Sequence, residues 1–222
     1  LHPSDLILIG GGPRIGKTSF MVSMVNNITF KQGIPTAVLS LEVPTKFLQG
    51  RLLMNVCDIN IEYSKFLDML SSSTPEEVNA KLCSINKSML IIDNTPPVGI
   101  SQLQEKVYAI VEEYGIKLFF VDYLELMIAT EEFDPYLERK EEFRMKVHSL
   151  KQLAVELDIA IVVFSSLRKK TMSEVESDGY EPCLYQIGCG AYTEEALNDL
   201  DVICLLHRPD LTKNQKSDYQ CV

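Results

Sequence analysis

The residues from Gly11 to Thr18 read Gly-Gly-Pro-Arg-Ile-Gly-Lys-Thr, which fits the pattern G-x-x-x-x-G-K-[ST]. They follow an apolar run at residues 6–9 that predicts a buried strand, and an amphipathic stretch comes after them. Glycines let the backbone N–H groups of such a loop turn towards an anion, and the helix that follows contributes its positive end. The pattern therefore predicts a phosphate-binding loop between a strand and a helix, rather than an ordinary glycine-rich turn.

The same loop predicts which residues hold a nucleotide. Lys17 is expected to reach the β- and γ-phosphate oxygens of ATP, and the Thr18 hydroxyl is expected to ligate Mg²⁺. ATP and Mg²⁺ are accordingly the predicted cofactors. The predicted nucleotide-binding set comprises the loop and the residue after it: Gly11, Gly12, Pro13, Arg14, Ile15, Gly16, Lys17, Thr18 and Ser19.

Length, charge and cysteine content limit the class of protein. The 222 residues suit one α/β domain, and no apolar run approaches the roughly 20 residues that span a bilayer. The formal net charge of −10 argues against a broadly basic nucleic-acid surface, although a few loops can still bind phosphate. The six cysteines form no C-x-x-C pair, which favours small buried side chains in a reducing cytosol over a zinc site. We therefore expect a cytoplasmic protein with no membrane partner.

Apolar runs alternate with helical patterns along the chain. The runs lie at residues 6–9, 36–41, 89–92, 118–121, 159–164 and 202–206, and helices are predicted at 44–56, 73–85, 101–113 and 136–157. This alternation predicts an α/β fold with a mostly parallel central sheet and helices on both faces. Residues 129–135 and 169–189 lack apolar periodicity and are predicted to be loops.

Two acidic residues follow predicted strands. Asp122 ends the run at 118–121 and suits a magnesium ligand, with a capping role for the next turn as the alternative. Glu42 follows the run at 36–41, and ligands bind at the carboxyl ends of the strands in a sheet of this kind. It is therefore a candidate general base for water near the γ-phosphate, although a solvated loop glutamate fits the pattern equally well.

Ser166 lies just after the apolar run at 159–164, as Asp122 and Glu42 lie after theirs. Its hydroxyl is a candidate hydrogen-bond partner of the γ-phosphate, while serine after a strand is more commonly a turn former. Lys169 and Lys170 follow as candidate phosphate contacts, with a solvated basic pair as the simpler interpretation. The candidate catalytic residues are thus Lys17, Glu42 and Ser166.

Several segments together resemble a known family. Ser40-Leu41-Glu42 and the segment Val-Asp-Tyr-Leu-Glu-Leu-Met at 121–127 are similar to the C-terminal, RecA-like ATPase domain of DnaB-type replicative helicases. The segments at 1–6, 51–53, 92–96, 149–157 and 199–208 resemble the same domain in the same order. The resemblance covers nearly the whole chain and implies a RecA-like P-loop NTPase fold.

The resemblance implies an ATP-driven helicase motor that assembles into a ring, hexameric in the full-length protein, and moves along single-stranded DNA in replication. It implies that Lys17, Thr18, Glu42 and Asp122 of one subunit contribute to a site between subunits, with Glu42 as the base. It also implies that residues 1–222 form a single RecA-like ATPase domain of a longer protein, which adds a helical N-terminal domain and a further C-terminal end with a basic pair. Such a fragment is expected to bind nucleotide better than it hydrolyses it.

The chain also departs from this family. The family has a γ-phosphate-sensing glutamine where this chain has Ser166, and the region 169–189, which corresponds to one facing the channel of the ring, is acidic here. These departures and the negative net charge favour an alternative function. In that alternative the chain is a RecA-like ATPase switch or recombination mediator, in which nucleotide controls assembly without unwinding.

Overall fold

The computed structural model describes residues 1–56, 59, 64–66, 68, 90–93, 99–127, 139–170, 179, 182, 184–191 and 193–208. The helix predicted at 73–85 and the loop predicted at 129–135 lie outside these residues, as does the start of the helix predicted at 136–157.

One parallel sheet organises the part of the chain that is described. Its strands pair in the order β3-β2-β4-β5-β1-β6, so the strand before the phosphate-binding loop has a neighbour on each side. All five pairings are parallel, as predicted from the alternation of apolar runs and helices. The strands are β1 (Leu6–Gly11), β2 (Thr36–Ser40), β3 (Leu90–Asp93), β4 (Leu118–Asp122), β5 (Ala160–Ser166) and β6 (Val202–Leu206).

Helices connect these strands. Those with described bounds are α1 (Lys17–Val25), α2 (Thr45–Val56), α3 (Ile100–Tyr114), α4 (Arg139–Leu157), α5 (Ile187–Gly190) and α6 (Glu194–Asn198). A π-helical segment, Asn26–Phe30, extends α1, and 3₁₀ turns occur at Leu124–Leu126 and Leu184–Gln186. Within the described ranges, no helix combines the length and the apolar character that crossing a membrane requires.

Both faces of the sheet are covered. In β1, Leu6 and Leu8 pack into a core cluster that includes residues of α3 and α4, whereas Ile7 and Ile9 pack into a second cluster with residues of α1 and α2. Successive side chains of a strand point to opposite faces, so a strand buried on both sides reads as a continuous apolar run. The predicted α/β fold, with helices on both faces of a parallel sheet, is confirmed.

Two local expectations are wrong. Within the region 169–189 predicted as a loop, Leu184–Gln186 form a 3₁₀ turn and α5 begins at Ile187, which is fully buried in the core; the segment is too short to show apolar periodicity. Lys170 is only 7% exposed, and its Nζ donates a hydrogen bond to the Gly179 carbonyl over 3.0 Å. The interpretation of Lys169 and Lys170 as a solvated pair therefore fails for Lys170.

Candidate active site

The candidate residues lie at the carboxyl ends of neighbouring strands. In the register of the sheet, Gly11 of β1 lies opposite Ser166 of β5, and Ser40 of β2 lies opposite Asp122 of β4. Strands β4 and β5 also pair directly, so β2, β4, β5 and β1 end side by side. Parallel pairing thus brings together side chains that are far apart in the sequence, at the edge where ligands bind in open α/β sheets.

The loop between β1 and α1 has the backbone that its glycines predict. Gly16 adopts φ 106°, in the left-handed region that favours glycine, and α1 begins at the next residue. The Phe20 N–H then donates to the Gly16 carbonyl over 2.9 Å, which closes the first helical turn. The first N–H groups of a helix have no intrahelical partner, so the start of α1 favours an anion at this loop.

The ammonium group of Lys17 lies over this loop. Its Nζ donates to the Gly11 carbonyl over 2.8 Å, and to the Gly12 carbonyl and the Ser166 hydroxyl over 3.4 Å each. These contacts join the ends of β1 and β5 through one cation. A partly buried ammonium in such a position attracts a phosphate group and can exchange the longer contacts for phosphate oxygens.

A threonine and a buried carboxylate face each other next to Lys17. The Thr18 hydroxyl donates to Oδ2 of Asp122 over 3.3 Å, while Oδ1 is buried and has no hydrogen-bond partner among the described residues. Burial, and then the charge of Glu42, raise the pKa of Asp122 to about 6, against the opposing effects of Thr18, Lys17 and Arg51. An orphaned carboxylate oxygen beside a hydroxyl is a donor set that fits a hard divalent cation.

These side chains surround one cavity of about 430 Å³. This volume lies in the range of small-molecule and cofactor sites. Of the predicted nucleotide-binding residues, all but Gly11 and Ile15 line this cavity. The predicted metal ligand Asp122 is not in the lining but is hydrogen-bonded to Thr18, which is. The lining residues are Gly12, Pro13, Arg14, Gly16, Lys17, Thr18, Ser19, Glu42, Arg51, Tyr123 and Ser166.

Two lining residues were not assigned to the site from sequence. Arg51, on α2, enters the cavity and its charge lowers the pKa of Asp122. Tyr123 also lines the cavity. The sequence alone favours a packing residue at this position, and Tyr123 does pack against the core cluster that contains residues of α1 and α2. The one sequence signal for Arg51 is its place in segment 51–53, which resembles the family. A single arginine on a helix belongs to no local motif, so its role at the cavity could not be predicted.

Comparison with known proteins identifies relatives of this chain. The family model for the DnaB-like helicase C terminal domain matches residues 1–221. The replicative DNA helicase DnaB of Treponema pallidum is 32% identical over 92% of this chain, and that of Geobacillus stearothermophilus is 26% identical over 93%. The chain spans 44% of the length of each of these two relatives.

Solved structures share the fold. A DnaB-like replicative helicase, solved in a study of its interactions with primase, superposes with a TM-score of 0.77 at 22% identity, over 96% of this chain and 49% of that one. A second solved structure, that of an ATPase domain, superposes with a TM-score of 0.76 at 20% identity, over 97% of this chain and 73% of that one. Because the family model spans residues 1–221, the chain belongs to the DnaB-like helicase C-terminal domain family.

Proposed function

We propose that this chain is the ATP-driven motor domain of a replicative DNA helicase, in which hydrolysis drives movement along single-stranded DNA. The observation that carries the proposal is that Lys17 and Thr18 line one cavity, with Asp122 hydrogen-bonded to Thr18, in a chain that belongs to this family. Its cofactors are then ATP and Mg²⁺.

Binding of the triphosphate is assigned to the loop from Gly11 to Thr18, with Ser19 next to it. The loop N–H groups and the start of α1 hold the phosphates, and Lys17 neutralises the β- and γ-oxygens. We assign Thr18 and Asp122 as the magnesium ligands of the protein; among the described residues no group of three or more His, Cys, Asp or Glu side chains could hold a metal. Phosphate oxygens and water would supply the other ligands of a bound Mg²⁺. A bound Mg²⁺ would neutralise charge on the phosphate oxygens.

Hydrolysis requires a base for the attacking water and groups that stabilise charge on the γ-phosphate. Glu42 is exposed and lines the same cavity, which supports its role as the base that orients and deprotonates water. The Ser166 hydroxyl accepts a hydrogen bond from Lys17, which leaves its own proton to donate to a γ-phosphate oxygen. Arg51 adds positive charge at the same cavity.

The proposal extends to assembly and substrate. We assign single-stranded DNA as the nucleic-acid partner, contacted through loops that face the channel of a hexameric ring, and the cytoplasm as the compartment. The relatives named replicative DNA helicases support this assignment. We keep the division of the protein into an upstream helical domain, this RecA-like domain and a further C-terminal end as part of the same proposal.

The Glu42→Gln variant of the full-length protein tests the assignment of the base. We expect the rate of ATP turnover to fall by about 100-fold or more, because the amide cannot accept the proton of water. ATP binding, measured with a fluorescent analogue, should change by less than about threefold, since phosphate binding rests on Lys17 and the loop. The exposed Glu112, on α3, supplies the matched control, Glu112→Gln. Normal turnover in Glu42→Gln would remove Glu42 from this role.

A second measurement separates the motor from the switch or mediator that the net charge of −10 favours. The motor predicts that single-stranded DNA accelerates ATP hydrolysis and that a forked duplex is unwound in the presence of ATP. If the full-length protein forms ATP-dependent oligomers but neither separates strands nor responds to DNA, the switch replaces the motor. The names of the relatives favour the motor.

A further inference from the structure

The end of β5 is held by a carboxylate outside the lining of the nucleotide cavity. Glu125 lies in the 3₁₀ turn Leu124–Leu126, soon after β4 ends. Its Oε1 accepts one hydrogen bond from the Ser165 hydroxyl over 2.6 Å and another from the Ser166 N–H over 2.8 Å. One oxygen atom therefore fixes both of the last two residues of β5.

These two bonds belong to a longer connection. The Ser166 hydroxyl accepts a hydrogen bond from Lys17, and the Ser165 hydroxyl accepts one from the Gly188 N–H of α5 over 3.1 Å. The connection runs from the phosphate-binding lysine through Ser166, Glu125 and Ser165 to Gly188. It links the nucleotide cavity to α5.

Burying the carboxylate of Glu125 costs free energy of desolvation, which argues against a role in stabilising the fold alone. Its Oε2 is buried and has no hydrogen-bond partner among the described residues. Burial raises the pKa of Glu125, and the hydrogen bonds from Ser165 and Ser166 and the charge of Lys17 only partly oppose that effect. Buried polar atoms are rarely left unpaired, and each exception calls for an explanation, of which a functional role is one.

Residues of this hydrogen-bonded connection line two different cavities. Ser166 lines the nucleotide cavity, whereas Glu125 lines a second cavity of about 290 Å³ together with Phe143 and Gly188. Glu125 thus contacts the residue that faces the nucleotide without lining the nucleotide cavity itself. The hydrogen-bonded route from Glu125 to the nucleotide cavity therefore passes through Ser166, and the charges of Glu125 and Lys17 also interact.

We propose that Glu125 is a positioning residue for ATP hydrolysis, which holds the Ser166 hydroxyl beside Lys17 at the γ-phosphate end of the cavity and ties it to α5. The proposal rests on the proposed function. In this proposal Oε1 alone positions Ser166 through its hydrogen bonds, since Oε2 has no described partner.

Substitutions at Glu125 in the full-length protein separate positioning from simple stabilisation. We expect Glu125→Ala to lower the rate of ATP turnover by about 10-fold to 100-fold, because small displacements of groups around a reacting centre have effects of that size. Affinity for a fluorescent ATP analogue should change by less than about threefold, since the loop is untouched. Glu125→Gln keeps an acceptor at Oε1 and should retain turnover within about threefold of the wild type, because the amide group replaces an oxygen that has no partner.

A double substitution tests whether Glu125 acts through Ser166. If it does, the variant carrying Glu125→Ala and Ser166→Ala should be no slower than the slower single variant, because residues that act as a unit are not additive. Additive losses, a Gln variant as slow as the Ala variant, or a parallel loss of nucleotide affinity in Glu125→Ala would each overturn the proposal. Glu42→Gln, assayed alongside, distinguishes the two proposals. Normal turnover in Glu42→Gln contradicts the proposed base, whereas a slow Glu42→Gln beside a fully active Glu125→Ala contradicts only the positioning role.

Discussion

The hydroxyl of Thr18, in the first turn of α1, donates a hydrogen bond to Oδ2 of Asp122, the last residue of β4, over 3.3 Å. The two residues are 104 positions apart in the chain. Their contact joins the phosphate-binding loop to the strand-end carboxylate and leaves Oδ1 of Asp122 buried without a described partner. We propose this pair as the magnesium site, and the effect of Asp122 on stability can be tested without the ion.

The ionised form of Asp122 is expected to oppose folding. Burial, followed by the charge of Glu42, raises the pKa of Asp122 to about 6 in the folded state. Since the folded state then binds the proton more tightly than the unfolded state, the free energy of unfolding falls as the pH rises from about 4 to about 6, and it stays lower above that range. We expect Asp122→Asn to raise the free energy of unfolding at pH 8 by about 1 to 3 kcal/mol, and by less at pH 5.

Urea unfolding at pH 5 and pH 8, with chelator present and nucleotide absent, measures this effect. Glu112→Gln removes an exposed carboxylate from α3 and should change the free energy of unfolding by less than about 0.5 kcal/mol at both pH values. An Asp122→Asn variant that is less stable than the wild type at pH 8 would show that ionised Asp122 supports the fold.

Lys17 is predicted to carry much of the affinity for phosphate. In Lys17→Ala we expect the dissociation constant for ATP to rise by about 10-fold to 100-fold, the range for losing a hydrogen bond to a charged group. Lys117→Ala removes an equal charge from an exposed position before β4 and should leave ATP affinity unchanged. Titration of a fluorescent ATP analogue gives both constants, and equal affinities in the two variants would exclude Lys17 from phosphate binding.

Gly188 is predicted to tolerate no side chain. It has φ 59°, and an added Cβ would lie 2.6 Å from the Phe143 ring. Gly33 has φ 73°, but its Cβ would meet no described atom within 4 Å. We expect Gly33→Ala to lower the free energy of unfolding by about 1 kcal/mol through backbone strain. We expect Gly188→Ala to lower the free energy of unfolding by about 1 to 3 kcal/mol more than Gly33→Ala does, because the added methyl group overpacks against Phe143. Denaturant unfolding measures both losses. Equal losses in the two variants would show that Phe143 moves freely.

Asp201 is predicted to fasten the start of β6 to the rest of the sheet. Burial alone would raise the pKa of Asp201, but hydrogen bonds from Lys151 Nζ and the Leu6 N–H, at 2.7 Å each, lower it together with the charge of Lys151. A depressed pKa contributes stability above the unfolded pKa, near 4, and that stability is lost as the pH falls through the folded pKa. Because the carboxylate is partly exposed, we expect Asp201→Asn to cost only about 1 kcal/mol at pH 7 and less at pH 3.

A double-substitution cycle with Lys151→Ala, measured by urea unfolding, checks this interaction. The two substitutions should be non-additive at pH 7 and close to additive at pH 3, where the carboxylate of Asp201 is protonated more often. Additivity at both pH values would show that the contact between Lys151 and Asp201 does not stabilise the fold.

The fold could be predicted because its signals are local. Eight consecutive residues, Gly11 to Thr18, carry the phosphate-binding pattern, and each strand buried on both faces is a continuous apolar run. Asp122 and Glu42 could be proposed as site residues for a related reason: each follows such a run, and parallel strands end at the same edge of a sheet. Their catalytic roles remain predictions.

The sequence by itself determined the α/β architecture, the loop and the residues that end its strands, because these depend on neighbouring positions. Only the tertiary structure decided that Arg51 enters the cavity, that Lys170 is buried, and that Glu125 holds the end of β5. These contacts depend on strand register and on helix packing, which place residues far apart in the chain within hydrogen-bond distance. Isolated charged residues carry no periodicity and no fixed spacing, so nothing in their local sequence distinguishes a buried partner from a solvated side chain.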